Sequence, residues 1–261
     1  MNSQKSTITL TFGDQAENHV GMQQMGERVA EGDGFQYEDM EAIYERLEAL
    51  GAKVERYDLH ENDPELDLPP AYLLVIRDAV SFFLPEEKDA HESCFQEQAA
   101  LPVDKKAYMY GRVVQKHARW NLCFDHQSQE PDYAKGRGRV IAFNDIPLTH
   151  RIVEQFPVYF GEKARDLKGE GNYYYDTRTC GIGYHGDSER RKVIALRLGA
   201  PLSICYQWYR HGSPVGYTME VLLNGGDMYA MSEKAVGTDW KKPTIYTLRH
   251  ATGAKKFTDV K

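Results

Sequence analysis

The sequence predicts an α+β protein whose C-terminal portion is a β-rich sandwich or jelly roll and whose N-terminal portion is a small α/β extension. Three observations predict it. Strand-length runs of β-branched and aromatic residues crowd the chain beyond about residue 100, bounded by Gly, Pro and Asn turns. A helical pattern near residue 40 precedes them, and the charge changes sign between the two portions. With 41% hydrophobic and 27% charged residues among 261, the composition is that of a globular protein and excludes a disordered or fibrous one.

Residues 7–12 (TITLTF) alternate like a strand and end at Gly13-Asp14. Residues 16–26 (AENHVGMQQMG) show no period and read as a loop or a helix start. Residues 37–50 place Met40, Ile43, Tyr44, Leu47 and Leu50 at helical spacing and stop at Gly51, a usual residue just past a helix. Residues 53–59 and 71–77 read as strands joined by a polar, proline-bearing loop. Residues 112–139 are long, polar and aromatic, more like a functional loop than a connector. Further strands are expected at 139–143, 192–198, 203–208, 218–223, 227–231 and 244–248.

The domain boundary is placed near residue 100. Residues 1–100 hold 7 basic and 22 acidic side chains, a net of −15, whereas residues 101–261 hold 25 and 17, a net of +8. A basic C-terminal domain suits a phosphate-bearing partner such as DNA or RNA, or docks the acidic half. No run approaches the ~18 apolar residues of a membrane helix and the N-terminus lacks a signal-peptide profile, so a cytoplasmic or nuclear location off the membrane is expected. Cys94, Cys123, Cys180 and Cys205 lie far apart with no CxxC, which argues for reduced thiols and against a disulfide framework or zinc ribbon.

His185-Gly186-Asp187 follows a glycine-rich turn and precedes a strand. Alternate residues at a strand end project to the same side, so His185 and Asp187 can share one ion and a later histidine can complete the set. His250, just beyond the strand 244–248, is the expected third ligand, while His211 sits in what reads as an exposed hairpin. Two histidines and a carboxylate on one face leave three cis positions open on iron, which is what a ferrous oxygenase needs for a chelating cosubstrate and dioxygen. HxD alone is weak evidence in a chain with nine histidines.

The combination is more specific. Asn172-Tyr173-Tyr174-Tyr175-Asp176, then Ile182-Gly183-Tyr184-His185-Gly186-Asp187-Ser188-Glu189, then a strand ending Leu196-Arg197-Leu198-Gly199, resembles the metal-binding half of the AlkB-like Fe(II)/2-oxoglutarate-dependent dioxygenases over about residues 105–261. In that family an N-x-Y precedes the HxD and a strand ending in Leu-Gly follows it. The resemblance implies a double-stranded β-helix and an oxidoreductase that takes Fe(II) and 2-oxoglutarate. It implies iron held by His185, Asp187 and His250, and 2-oxoglutarate bound by Asn172 and Tyr174, or Tyr175 if the register slips by one. It also implies hydroxylation or oxidative demethylation, above all of a nucleic-acid base, with residues 112–139 in the place of the recognition lid. A protein or small metabolite is the alternative substrate, and a non-catalytic binding module that kept the barrel is the alternative outside the enzymes.

The chain departs from the family after the distal histidine, where an Arg-x-Asn-x-x-x-Arg segment is replaced by ATGAKKFTDVK, without arginine. Arg197 is the expected substitute: it alternates with Val193 and Ala195, opposite Ile194, Leu196 and Leu198, so it can point into the barrel, where an Arg–carboxylate pair is strong. Lys255 or Lys256 is the alternative. If Gly226-Asp227 marks the family's Gly-Asp strand, the distal histidine falls near Asp239-Trp240, where there is none; His250 after a longer loop restores the triad. For the substrate, Arg119 and Arg137 are expected to offset phosphate charge, and Trp120 or Tyr110 to stack on an exposed base.

Overall fold

The computed structural model describes residues 1–61 and 63–260. Strand β1 (Thr7–Gly13) leads into the hairpin β2 (Gln15–Glu17) and β3 (Gln24–Gly26), then helix α1 (Tyr37–Ala49), strands β4 (Lys53–Asp58) and β5 (Tyr72–Arg77), and helices α2 (Ala79–Phe83) and α3 (Ala90–Ala99). A second hairpin, β6 (Lys106–Met109) and β7 (Arg112–Gln115), precedes β8 (Trp120–Asp125), β9 (Val140–Ala142), α4 (Pro147–Glu154) and α5 (Phe156–Phe160). The chain continues through β10 (Lys168–Tyr174), β11 (Gly181–His185), β12 (Val193–Gly199), β13 (Leu202–Arg210), β14 (Ser213–Leu223), β15 (Met228–Met231), α6 (Glu233–Val236), β16 (Thr247–Gly253) and α7 (Lys255–Thr258). This is a mostly β, α+β architecture.

Eight strands form one sheet in the order β4-β5-β15-β12-β1-β10-β8-β9, and four form a second in the order β11-β16-β13-β14. All neighbours are antiparallel except β8 and β9. The alternation of β12 sets the layering, because every one of its residues is buried and its two faces must both find apolar partners. Ile194, Leu196 and Leu198 pack with Met40, Ile43 and Leu47 of α1, Phe95 of α3 and Phe156 of α5. Val193 and Ala195 pack with Ile204, Tyr206 and Trp208 of β13 and Leu248 of β16. The large sheet is therefore a middle layer, with helices on one face and the small sheet on the other. β1 shows why TITLTF is a strand: Ile8, Leu10 and Phe12 enter the helix-side core, and the threonines face the other way.

The charge boundary near residue 100 is not a boundary in the fold. β1 lies between β10 and β12, and β5 pairs with β15, so residues 1–100 supply β1, β4 and β5 to the main sheet instead of standing apart as an extension. Charge reports on exposed side chains, whereas strand order is set by buried ones. Residues 112–139 are not one loop: they contain β8, whose residues 121–124 are buried inside the sheet. Residues 16–26 contribute to the β2–β3 hairpin rather than a loop or helix start. The last strand begins three residues later than the sequence suggests, which moves His250 from beyond the strand to its middle. Among the described residues no helix is long and apolar enough to cross a membrane. The four cysteines are buried and unbridged.

Candidate metal centre

β11 and β16 pair so that Ile182 lies opposite Thr252 and His185 opposite His250. Three residues of β11 thus span two of β16, a bulge that turns His185 to the same face as Ile182 where strict alternation would have turned it away. Asp187 follows after Gly186, which passes so close to Gly237 that a Cβ would run into the Gly237 carbonyl oxygen. The Asp187 N–H donates to the Val236 carbonyl at 3.0 Å, which fixes the turn.

The three side chains converge. Nε2 of His185 and Nε2 of His250 each lie 3.5 Å from Oδ1 of Asp187, and the two imidazole centroids are 4.6 Å apart. The ligand atoms all lie within 4.8 Å of one another, and among the described residues this is the one cluster of three or more His, Cys, Asp or Glu so arranged. Cis ligands about 2.1 Å from one ion are roughly 3 Å apart, so a small inward shift closes the set on a metal. Nδ1 of His185 donates to the Gly183 carbonyl at 2.8 Å, which orients the ring so that Nε2 points at the cluster. Burial, with His185 alongside, pulls the His250 imidazole down and keeps it neutral. Burial pushes the Asp187 carboxyl up, but Arg190 and the two imidazoles outweigh it and hold it well below the usual carboxylate range. Neutral imidazoles and an ionised carboxylate are the forms that bind a metal.

The triad opens on a cavity of about 580 Å³. Its opposite wall is built from registered rows on the large sheet. Thr9 of β1 pairs with Asn172 of β10 on one side and Arg197 of β12 on the other, and all three line the cavity. The adjacent row runs Glu170, Thr11, Ala195 and Tyr229. Arg197 is fully buried; its Nη1 donates to Thr9 Oγ1 at 2.7 Å, and its Nε has no hydrogen-bond partner among the described residues. Burial pulls its guanidinium down. Tyr174 also lines the cavity. Tyr175 does not: it stacks on Trp120 with centroids 4.5 Å apart and donates to the His117 carbonyl, so of the two tyrosines it is Tyr174 that faces the cavity. Lys255 and Lys256 lie on α7 and are not part of the lining.

No protein-family model matches the chain. An uncharacterized protein of Acanthamoeba polyphaga mimivirus, R156, is 48% identical over 256 residues, which is 97% of this chain and 98% of that protein. The chain belongs to the R156 family.

Of the residues expected to meet a nucleic acid, this member of the R156 family brings only Arg119 to the cavity. Arg119 Nε donates to Asn172 Oδ1 at 2.6 Å, and Asn121 Nδ2 donates to the same atom at 2.9 Å, so Arg119 orients Asn172 instead of reaching outward. Trp120 is sandwiched between Tyr175 and the Lys105 ammonium, 4.2 Å from its ring centroid. Tyr110 is exposed at the tip of the β6–β7 hairpin, and Arg137 is exposed with a bond to Gln129. His211 lies in the turn between β13 and β14. Sequence reasoning missed Thr9, Glu17, Asn18, His19, Gln24, Glu170 and Arg190. The threonine alternation in β1 was the only local signal for any of them. Arg190 is buried, and it pairs with Glu170, with Glu189 at 2.7 Å and with Asp187 at 3.4 Å, so it ties the Asp187 carboxylate to two further carboxylates behind the triad.

Proposed function

We propose that the protein is an AlkB-like Fe(II)/2-oxoglutarate-dependent dioxygenase, an oxidoreductase that hydroxylates or oxidatively demethylates its substrate. The observation that carries this reading is the convergence of His185, Asp187 and His250 across β11 and β16, opposite a buried arginine in the same cavity. Iron and 2-oxoglutarate, when bound, supply the oxidation: dioxygen is consumed, the cosubstrate leaves as succinate and carbon dioxide, and a substrate C–H becomes C–OH. The chain's own contribution is placement. His185, Asp187 and His250 would hold the metal on one side and leave the cavity side open. Arg197, with an unpartnered Nε and no carboxylate of its own, fits the distal carboxylate of 2-oxoglutarate. Asn172 is held in orientation by Arg119 and Asn121.

The topology supports a jelly roll of unusual threading. From β10 to β16 the chain alternates between the sheets in the sequence large, small, large, small, small, large, small. One further strand on the large sheet, between β10 and β12, would complete eight strands in two interleaved Greek keys. β1 occupies that place. In that place β1 sets Thr9 beside Arg197, the residue that this reading assigns to the cosubstrate carboxylate. The nucleic-acid reading of the substrate rests on the +8 balance of residues 101–261, and loses Tyr110, Trp120 and Arg137 as contacts at the cavity, while Arg119 reaches the cavity bonded to Asn172.

The test is succinate release by protein loaded anaerobically with Fe(II). Turnover is expected to require both Fe(II) and 2-oxoglutarate and to vanish in Asp187→Asn. Turnover that needs the metal but not 2-oxoglutarate would make this another class of metalloenzyme, and no turnover despite tight metal binding would favour a binding module. Oligonucleotide binding at low salt, weakening steeply as salt rises, tests the nucleic-acid substrate.

A further inference from the structure

The stretch 16–26, whose sequence suggests no chemistry, forms one wall of the cavity. In the β2–β3 hairpin Glu17 pairs with Gln24, and both line the cavity along with Asn18 and His19. The wall is anchored from behind. Asn18 is 2% exposed, donates Nδ2 to Asp104 at 2.7 Å and accepts from Lys116 Nζ at 2.7 Å. Asp104, itself fully buried, also accepts from the Tyr133 hydroxyl and the Arg139 N–H, each at 2.6 Å. This rigid backing holds the Glu17 side chain where it is.

Glu17 is 8% exposed, yet no Lys or Arg forms an ion pair with it among the described residues, and its one hydrogen bond comes from Gln24 Nε2 at 3.3 Å. The guanidinium nearest in kind, Arg190, is already shared by Glu170, Glu189 and Asp187. A buried carboxylate without a cation is costly, and the side from which a cation can still approach Glu17 is the cavity. We propose that Glu17 is a substrate-binding residue that receives a cationic nitrogen, an alkylammonium or guanidinium group, on the molecule oxidised at the triad. The proposal rests on the dioxygenase reading for the oxidation alone; the cation site stands on the hairpin.

Ligand-observed saturation-transfer NMR on the full chain tests it, with n-butylguanidinium as probe and butyramide and butyrate as its neutral and anionic counterparts. The guanidinium is expected to bind and the other two not. Glu17→Gln should weaken binding at least about tenfold, the equivalent of ~1.4 kcal/mol, while Glu27→Gln on the exposed surface should not change it. Mn(II) then broadens the probe's methylene protons if the probe sits beside the triad, and Asp187→Asn should remove the broadening while leaving the probe bound. Equal binding to wild type and Glu17→Gln, or a preference for butyrate, overturns the proposal. So does an oligonucleotide that binds where the guanidinium does not and ignores Glu17→Gln. Probe binding that depends on Glu17 but never broadens with Mn(II) upholds the cation site and overturns the metal-centred reading.

Discussion

Arg197→Met should make the protein more stable and its binding of 2-oxoglutarate weaker at the same time. Arg197 is fully buried, makes one side-chain hydrogen bond, to Thr9, and has no carboxylate partner among the described residues. Replacing an inadequately paired buried charge with an apolar side chain of similar length commonly gains about 1–4 kcal/mol. The Thr9 hydroxyl then loses its donor, which costs about 1 kcal/mol and leaves a net gain of up to roughly 3 kcal/mol. For a chain of this size that is a rise of up to about 12 °C in the unfolding midpoint, read by circular dichroism without cosubstrate. The opposite sign is expected in calorimetric titration of 2-oxoglutarate into Mn(II)-loaded protein, where removing one member of a buried charge pair costs 2 kcal/mol or more, roughly 30-fold in affinity. A lower midpoint would show that Arg197 is a structural cation balanced within the fold. Unchanged affinity would transfer the carboxylate to Arg119, the next guanidinium in the cavity, and refute the assignment.

Deleting residues 1–13 should abolish folding, because β1 is hydrogen-bonded on both edges and buries Ile8, Leu10 and Phe12 to within 1%; at ~1.5–3 kcal/mol each these side chains alone approach the whole stability of a domain, and a soluble, cooperatively melting product would contradict the topology. A chain beginning at residue 101 should fail in the same way. Asp187→Asn should cost more metal affinity than the roughly 10–100-fold typical of an outer-shell partner, measured by competition with a chelator. Trp120→Ala should lower stability by about 1–3 kcal/mol and leave oligonucleotide affinity untouched, since its faces are taken by Tyr175 and Lys105; the reverse pattern would restore it as a base-stacking residue. Burial, aided by Glu189, raises the Glu17 carboxyl from 4.5 to about 7, so the folded state holds that proton more tightly than the unfolded chain does. Stability from this group is present below about pH 4.5 and lost as pH rises through about 7; Glu17→Gln should flatten that fall by about 1–2 kcal/mol between pH 5 and 8, after discounting for water in the cavity, and an unchanged pH profile would argue against a buried acid there.

Much of the site's chemistry is legible along the chain because it is local. A period of two is enough to put His185 and Asp187 near one ion, to send Arg197 to the face of Val193 and Ala195, and to separate the threonines of β1 from Ile8, Leu10 and Phe12. Asn172 and Tyr174 come from the family resemblance, and the alternation of β10 turns both of them to the cavity. What the sequence cannot carry is which strands become neighbours, since that depends on both faces of each strand finding buried partners that can lie far along the chain, as Thr9 and Arg197 do, with no signal in the intervening loops. Placing β1 between β10 and β12 turned Thr9 into the link between Asn172 and Arg197 and dissolved the boundary that charge had suggested. The bulge in β11 decided which way His185 faces, and only the fold brought Glu17 from a polar stretch without a period into the wall of the cavity on which the triad opens. The lid residues Tyr110, Trp120 and Arg137 read as exposed ligand contacts because a lone aromatic or arginine looks the same in sequence whether it is free or already stacked, hydrogen-bonded or turned away. Composition and alternation determined the α+β class and the residue types available to the candidate site; sheet order and register determined which of those residues meet.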